Sequence, residues 1–122
     1  MKHAHPVFTR AQVFEEDVST WGGSVVKGRD GLYHAHAAEF RGNCGVAAWT
    51  STSTCRHFTA KAPLGPYTRK DLVQGVFCHN PSATIDKDGS WLLYHLGTGH
   101  RRFNQTMAER TWAKYCRREY GR

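Results

Sequence analysis

The chain has 122 residues, enough for one small domain with a modest core. Its 39% hydrophobic content, with 12% aromatics and four Trp, excludes a disordered chain, and no apolar run approaches the roughly 18 residues of a membrane helix. The formal net charge of +7 sits at one end: residues 1–100 hold ten Lys/Arg against eight Asp/Glu, whereas residues 101–122 hold seven against two. A basic tail of this kind reads first as a solvated helix and second as an adaptor for nucleic acid or an acidic partner, so nucleic acid is not the expected partner. The first residues, MKHAHPVFTRAQVF, hold no apolar h-region, so no secretory signal is expected there.

Residues 1–14 hold no clear period, and residues 1–16 are set apart as an N-terminal segment. Glu15-Glu16-Asp17 is an acidic cluster, followed by Trp21-Gly22-Gly23-Ser24, where paired glycines permit backbone that other residues do not adopt. Ser24 to Lys27 reads as a strand, Arg29-Asp30-Gly31 as a turn, and Leu32 to Phe40 as the return strand. On that strand His34, His36 and Ala38 share one face, and Tyr33, Ala35, Ala37 and Glu39 share the other. Cys44 to Ser51 is expected to be a strand, Thr50 to Thr54 a turn or loop, and Cys55 to Lys61 a further strand. Pro63-Leu64-Gly65-Pro66-Tyr67 is a rigid turn, because two prolines flank a glycine. Leu72 to Phe77 leads into Cys78-His79-Asn80-Pro81, a short mixed strand, an Asp88-Gly89 turn and the aromatic strand Trp91-Leu92-Leu93-Tyr94. From Asn104 the spacing of Met107, Trp112 and Tyr115 or Cys116 predicts a helix over about 105–119, with Thr106 and Glu109 as its capping box.

A repeat runs through these elements. Residues 24–33 align with residues 82–91 at an offset of 58, so that Asp30-Gly31 falls on Asp88-Gly89 and Tyr33 on Trp91. A period of roughly 40–60 residues with about four strands in each unit is the mark of a β-propeller blade. The sequence therefore divides into residues 1–16, a propeller portion over 17–100 and a basic helical tail over 101–122.

The ordered set Trp21-Gly22-Gly23-Ser24, Asp30-Gly31-Leu32-Tyr33-His34, Pro63-Leu64-Gly65-Pro66-Tyr67, His79-Asn80-Pro81 and Asp88-Gly89 with Trp91-Leu92-Leu93-Tyr94-His95 resembles the five-bladed β-propeller of glycoside hydrolase family 43 and its arabinanase-like relatives. The resemblance covers about residues 17–100. It implies an all-β fold, a partial five-bladed propeller of about two blades of antiparallel strands with a C-terminal helix. It also implies a sugar site at one mouth of the axial channel and hydrolysis or binding of arabinose- or xylose-containing glycans. Family enzymes invert, with one carboxylate activating water and another donating a proton to the leaving oxygen.

The matching of carboxylates is incomplete. Asn80 stands where the family places an Asp, and Asp17 and Glu39 are the remaining candidates for a catalytic base and acid. Trp21 and Trp49 are candidate stacking surfaces for a sugar ring, and His79, Asn80 and Ser24 candidate polar contacts. Hydrolysis by this short chain alone is not expected, and a non-catalytic glycan-binding module is the alternative. His34 and His36 have a His-x-His spacing without a fixed third ligand, so no protein-held metal is assigned. No cofactor is expected, although the resemblance allows a calcium ion in the axial channel. The expected partners are a polysaccharide or oligosaccharide, no membrane, and another chain or further blades to complete the propeller. Related enzymes are commonly secreted. Cys44, Cys55, Cys78 and Cys116 lack paired zinc spacing, three disulfide connectivities are open, and buried free thiols are the expected state.

Overall fold

The computed structural model describes residues 18–41 and 49–97. Asp17, the helix expected over 105–119, Cys44 and Cys116 lie outside the described residues. The fold is all-β and propeller-like. Strands β1 (Val18–Lys27), β2 (Tyr33–Arg41), β3 (Thr54–Ala60) and β4 (Thr68–Gln74) form one antiparallel sheet in sequential order, and β5 (His79–Ile85) and β6 (Trp91–Leu96) form a second. A four-stranded meander followed by the first two strands of another is the layout of one blade and the inner half of the next.

The repeat is exact in the turns. Gly28 N–H donates to Leu32 O at 2.8 Å, and Asp86 N–H to Ser90 O at 2.8 Å. Gly31 N–H donates to Gly28 O at 3.1 Å, and Gly89 N–H to Asp86 O at 3.0 Å. Asp30 Oδ1 accepts from Leu32 N–H at 3.1 Å, and Asp88 Oδ1 from Ser90 N–H at 2.8 Å. Both turn glycines take positive φ, 81° and 93°, which the Asp-Gly pairs supply without steric cost. The Ser90 N–H holds the Asp88 carboxyl below the ordinary carboxylate range.

The two faces of the blade do different work. Ala35, Ala37, Phe58, Ala60 and Tyr67 form a buried cluster on one face, with Val25 and Tyr33 packed against it. Small alanines on β2 leave room for Phe58 of β3, which lies opposite Ala35. Tyr67 Oη donates to Pro63 O at 2.7 Å and ties the proline turn to this cluster. The opposite face carries His34, His36, Phe40, Cys55 and His57, and it meets the second sheet. Covered on both sides, residues 35–40 of β2 are all buried.

Three expectations are corrected. Trp49–Thr52 is a single turn of α-helix, α1, within the stretch expected to be a strand. Its Ser53 Oγ donates to Trp49 O at 2.7 Å, the local side-chain bond that makes Ser/Thr runs favour turns over ladders. Thr68–Gln74 is a strand, where the sequence points only to a lead-in over Leu72 to Phe77. Its polar, mostly exposed residues suit an outer edge strand and hide its period. Cys55 and Cys78 form a disulfide rather than free thiols, with Cα atoms 5.5 Å apart.

Candidate functional site

The two inner strands, β1 and β5, share an irregularity, which falls within β1 and at the start of β5. The β1–β2 register shifts between Trp21 and Gly23, and the β5–β6 register shifts between His79 and Ser82. Gly22 has φ 59° and Asn80, its equivalent at the offset of 58, has φ 48°. A left-handed residue thus stands at the same bulge in both repeats. Glycine occupies it in one and asparagine, the residue that next best tolerates this conformation, in the other. The two bulges touch: a Cβ added to Gly22 would collide with Asn80 Oδ1. Further along, Ala83 N–H donates to Ser24 Oγ at 2.7 Å, and Arg29 Nη2 donates to Lys87 O at 3.2 Å. Strands β1 and β5 therefore lie side by side with repeat-equivalent positions adjacent, and their entrances form one surface.

The candidate residues take different places on that surface. Trp21 sits at the bulge and is 52% exposed. Asn80 is exposed beside it. His79 is buried, with its ring 4.7 Å from Trp49 and 5.8 Å from Phe40. Burial holds the His79 imidazole below its ordinary range, and its Nδ1 has no partner among the described residues. His79 is therefore a core ring behind the entrance rather than an open sugar contact. Trp49 packs on His79 and on Phe77 at 6.0 Å, as the wall behind it. Ser24 bridges β1 and β5 by accepting from the Ala83 amide, which leaves its O–H free to donate.

Glu39 lies in β2 at 1% exposure. Arg56 Nε donates to its Oε2 at 3.2 Å, Arg69 Nε to its Oε1 at 2.9 Å and Arg69 Nη2 to its Oε2 at 2.7 Å. The carboxylate points away from the β1–β5 entrance, towards β3 and β4. Sequence reading missed this arrangement because the three residues come together only once the strand register is known. Residues 54 and 39 are opposite each other, which puts Arg56 one pair away on the same face.

The disulfide acts directly on the entrance. Cys78 immediately precedes His79, and its N–H donates to Ser53 O at 3.0 Å while its sulfur is bonded to Cys55 of β3. The start of β5 is thereby fixed to the first blade by one covalent bond and one hydrogen bond. Among the described residues, no group of three or more His, Cys, Asp or Glu has the geometry to hold a metal ion.

No family model and no curated protein matches this sequence. Among solved structures, an endo-arabinase from Bacteroides thetaiotaomicron VPI-5482 is similar, with 13% sequence identity and a TM-score of 0.49. The likeness covers 69% of this chain, and the chain spans 28% of the length of that structure.

Proposed function

We propose that this chain is a glycan-binding portion of an arabinanase-like propeller, which holds a polysaccharide or oligosaccharide at the shared entrance of β1 and β5 and does not hydrolyse it alone. The observation that carries the reading is the exposed Trp21 ring beside the paired left-handed bulges of Gly22 and Asn80. An open indole offers an apolar, rigid face to the C–H surface of a sugar ring. The Asn80 amide, with two donors and one acceptor oxygen, suits vicinal hydroxyls. Arabinose- or xylose-type glycans are the substrate class because of the ordered motifs shared with that family.

Inverting hydrolysis needs a base and an acid on opposite sides of the scissile bond. At the described part of the entrance, Asn80 offers an amide and no carboxylate. Both Glu39 oxygens are occupied by arginines on the other side of the blade. Asp17 is the one candidate base left in the sequence.

The test is a pair of assays with arabinan- and xylan-derived oligosaccharides. Calorimetry is expected to show binding that Trp21→Ala reduces by about tenfold or more, the equivalent of one lost ring contact of about 1.4 kcal/mol. Product analysis is expected to show no cleavage. Turnover that Asp17→Asn abolishes would replace this reading with an enzymatic one, and absence of binding to every oligosaccharide would remove it.

A further inference from the structure

The face of the first blade that meets the second sheet carries three histidines in a column. The His34 and His57 rings are parallel, with centroids 5.1 Å apart and planes 4° apart, and His34 Nδ1 lies 2.9 Å from His57 Nε2. His36 stacks on His57 at 4.9 Å. Trp91 of β6 closes over the column, 4.9 Å from the His34 ring and 5.5 Å from the His36 ring. At the open end, His34 Nε2 lies 3.1 Å from each oxygen of Asp30. His36 is buried, and its Nδ1 has no partner among the described residues.

Valence limits what this column can hold. The Asp30 carboxylate accepts, so His34 Nε2 carries a proton. The contact between His34 and His57 needs one N–H and one lone pair. It survives with both rings neutral, or with one extra proton shared between them. A second proton sets two N–H groups against each other at hydrogen-bond distance. A proton on His36 adds a buried charge stacked on the same ring, without a carboxylate beside it. Other charged groups near the column are Asp30 and Arg29 at the β1–β2 turn and Lys70 and Asp71 on β4. The residue that β6 contributes, Trp91, carries no charge.

We propose that this column is an acid-released latch, which seats the β5–β6 sheet on the first blade while its rings are neutral or share one proton, and releases it when further rings are protonated. The latch rests on this geometry alone. It acts at the Trp91 end of the second sheet, while the Cys55–Cys78 bond keeps the start of β5 tied to the first blade, and it does not depend on the function proposed above.

The direction of the effect follows from the rings. Burial, then the neighbouring His57 and His34, push His36 down to about 4. Burial, then His34, also lower His57. The folded protein therefore binds these protons less readily than the unfolded chain. The stabilisation is full above the ordinary histidine range and is lost as pH falls from about 6.5 towards 4. Carboxylates act later. Asp30, lowered first by its bond from His34 and then by the Leu32 amide, and Asp88, lowered by Ser90, lose their contribution only below the ordinary carboxylate range.

The test uses the full chain without ligand. Denaturant midpoints and near-UV circular dichroism are followed from pH 8 to pH 4, for the wild type and for His36→Gln with His57→Gln. The folding equilibrium constant of the wild type is expected to fall by on the order of a hundredfold across this window, and that of the double variant by under about tenfold. An equal fall in both proteins, or no fall in the wild type, overturns the proposal. Should the double variant not fold, ring-proton NMR titration of the wild type decides. The His36 resonance is expected to move with a midpoint near 4, together with the Trp91 indole signal. A His36 midpoint near 6.5 with an unmoved Trp91 signal contradicts the latch. Because no glycan is present, failure of the glycan reading leaves this result intact, and the reverse also holds.

Discussion

Glu39→Ala is expected to cost about 3–5 kcal/mol of folding stability, a large share of the roughly 5–15 kcal/mol available to a domain of this size. The carboxylate is 1% exposed and takes hydrogen bonds from Arg56 and Arg69, which come from different strands. Its removal takes the shared carboxylate from two guanidiniums whose side chains are only 16% and 24% exposed, although Arg56 Nη1 still donates to Lys70 O at 3.3 Å. It also removes the one ion-pair staple among the described residues that spans β2, β3 and β4. Glu39→Gln keeps the shape and part of the acceptor capacity, so a smaller loss is expected. Urea midpoints at pH 7 measure both. A loss below about 1 kcal/mol in Glu39→Ala would show that the arginines find other partners, and the staple would have to be given up.

Breaking the Cys55–Cys78 bond is the second large effect. The bond closes a loop of 23 residues, for which chain-entropy arguments give about 3 kcal/mol. The expected change is larger in function than that figure suggests. Cys78 is the residue before His79, and the bond ties the entrance of β5 to β3. With Cys55→Ser and Cys78→Ser, the first blade is expected to keep its far-UV signal while amide exchange quickens in 78–85. Uniform protection across β5 in the double variant would mean that packing against β1 alone positions the strand.

How far the sequence carried the fold can be seen in particular residues. The Asp-Gly turns were legible because type and spacing of residues determine them locally, and the structure repeats their hydrogen bonds at the predicted offset. The division of β2 into a histidine face and an alanine face followed from the two-residue period. Strand β4 was hidden because Arg69, Lys70 and Asp71 mask any apolar alternation at an outer edge. The pairing of Cys55 with Cys78 and the clamp on Glu39 are contacts between distant segments, and spacing does not encode them.

The candidate site was legible in the sequence only as positions. Trp21 and Asn80 stand out there because they lie in the corresponding stretches of the two repeats. Backbone conformation gives the asparagine a second meaning. It was read as an absent carboxylate, and the structure shows it also as the left-handed partner of Gly22. The repeat alignment of Gly22 with Asn80 was the available signal. His79 reads as a polar contact because it starts an inner strand. Position in the sequence does not say that its ring lies against Trp49 and Phe40, or that Ser24 Oγ accepts from the Ala83 amide. The histidine column was missed because His57 joins His34 and His36 only through the β2–β3 register.

The most direct test of the glycan reading is an NMR titration of the labelled chain with an arabino-oligosaccharide at neutral pH. The indole N–H of Trp21 and the side-chain amide of Asn80 are expected to shift together and saturate at one ligand concentration, with the Ser24 and Ala83 amides moving less. Shifts confined to other surfaces, such as the cleft of about 230 Å³ lined by Arg29, Asp30, His34 and Trp91, or the cleft of about 340 Å³ lined by Leu32, Lys61 and Pro66, would contradict a site at the entrance of β1 and β5.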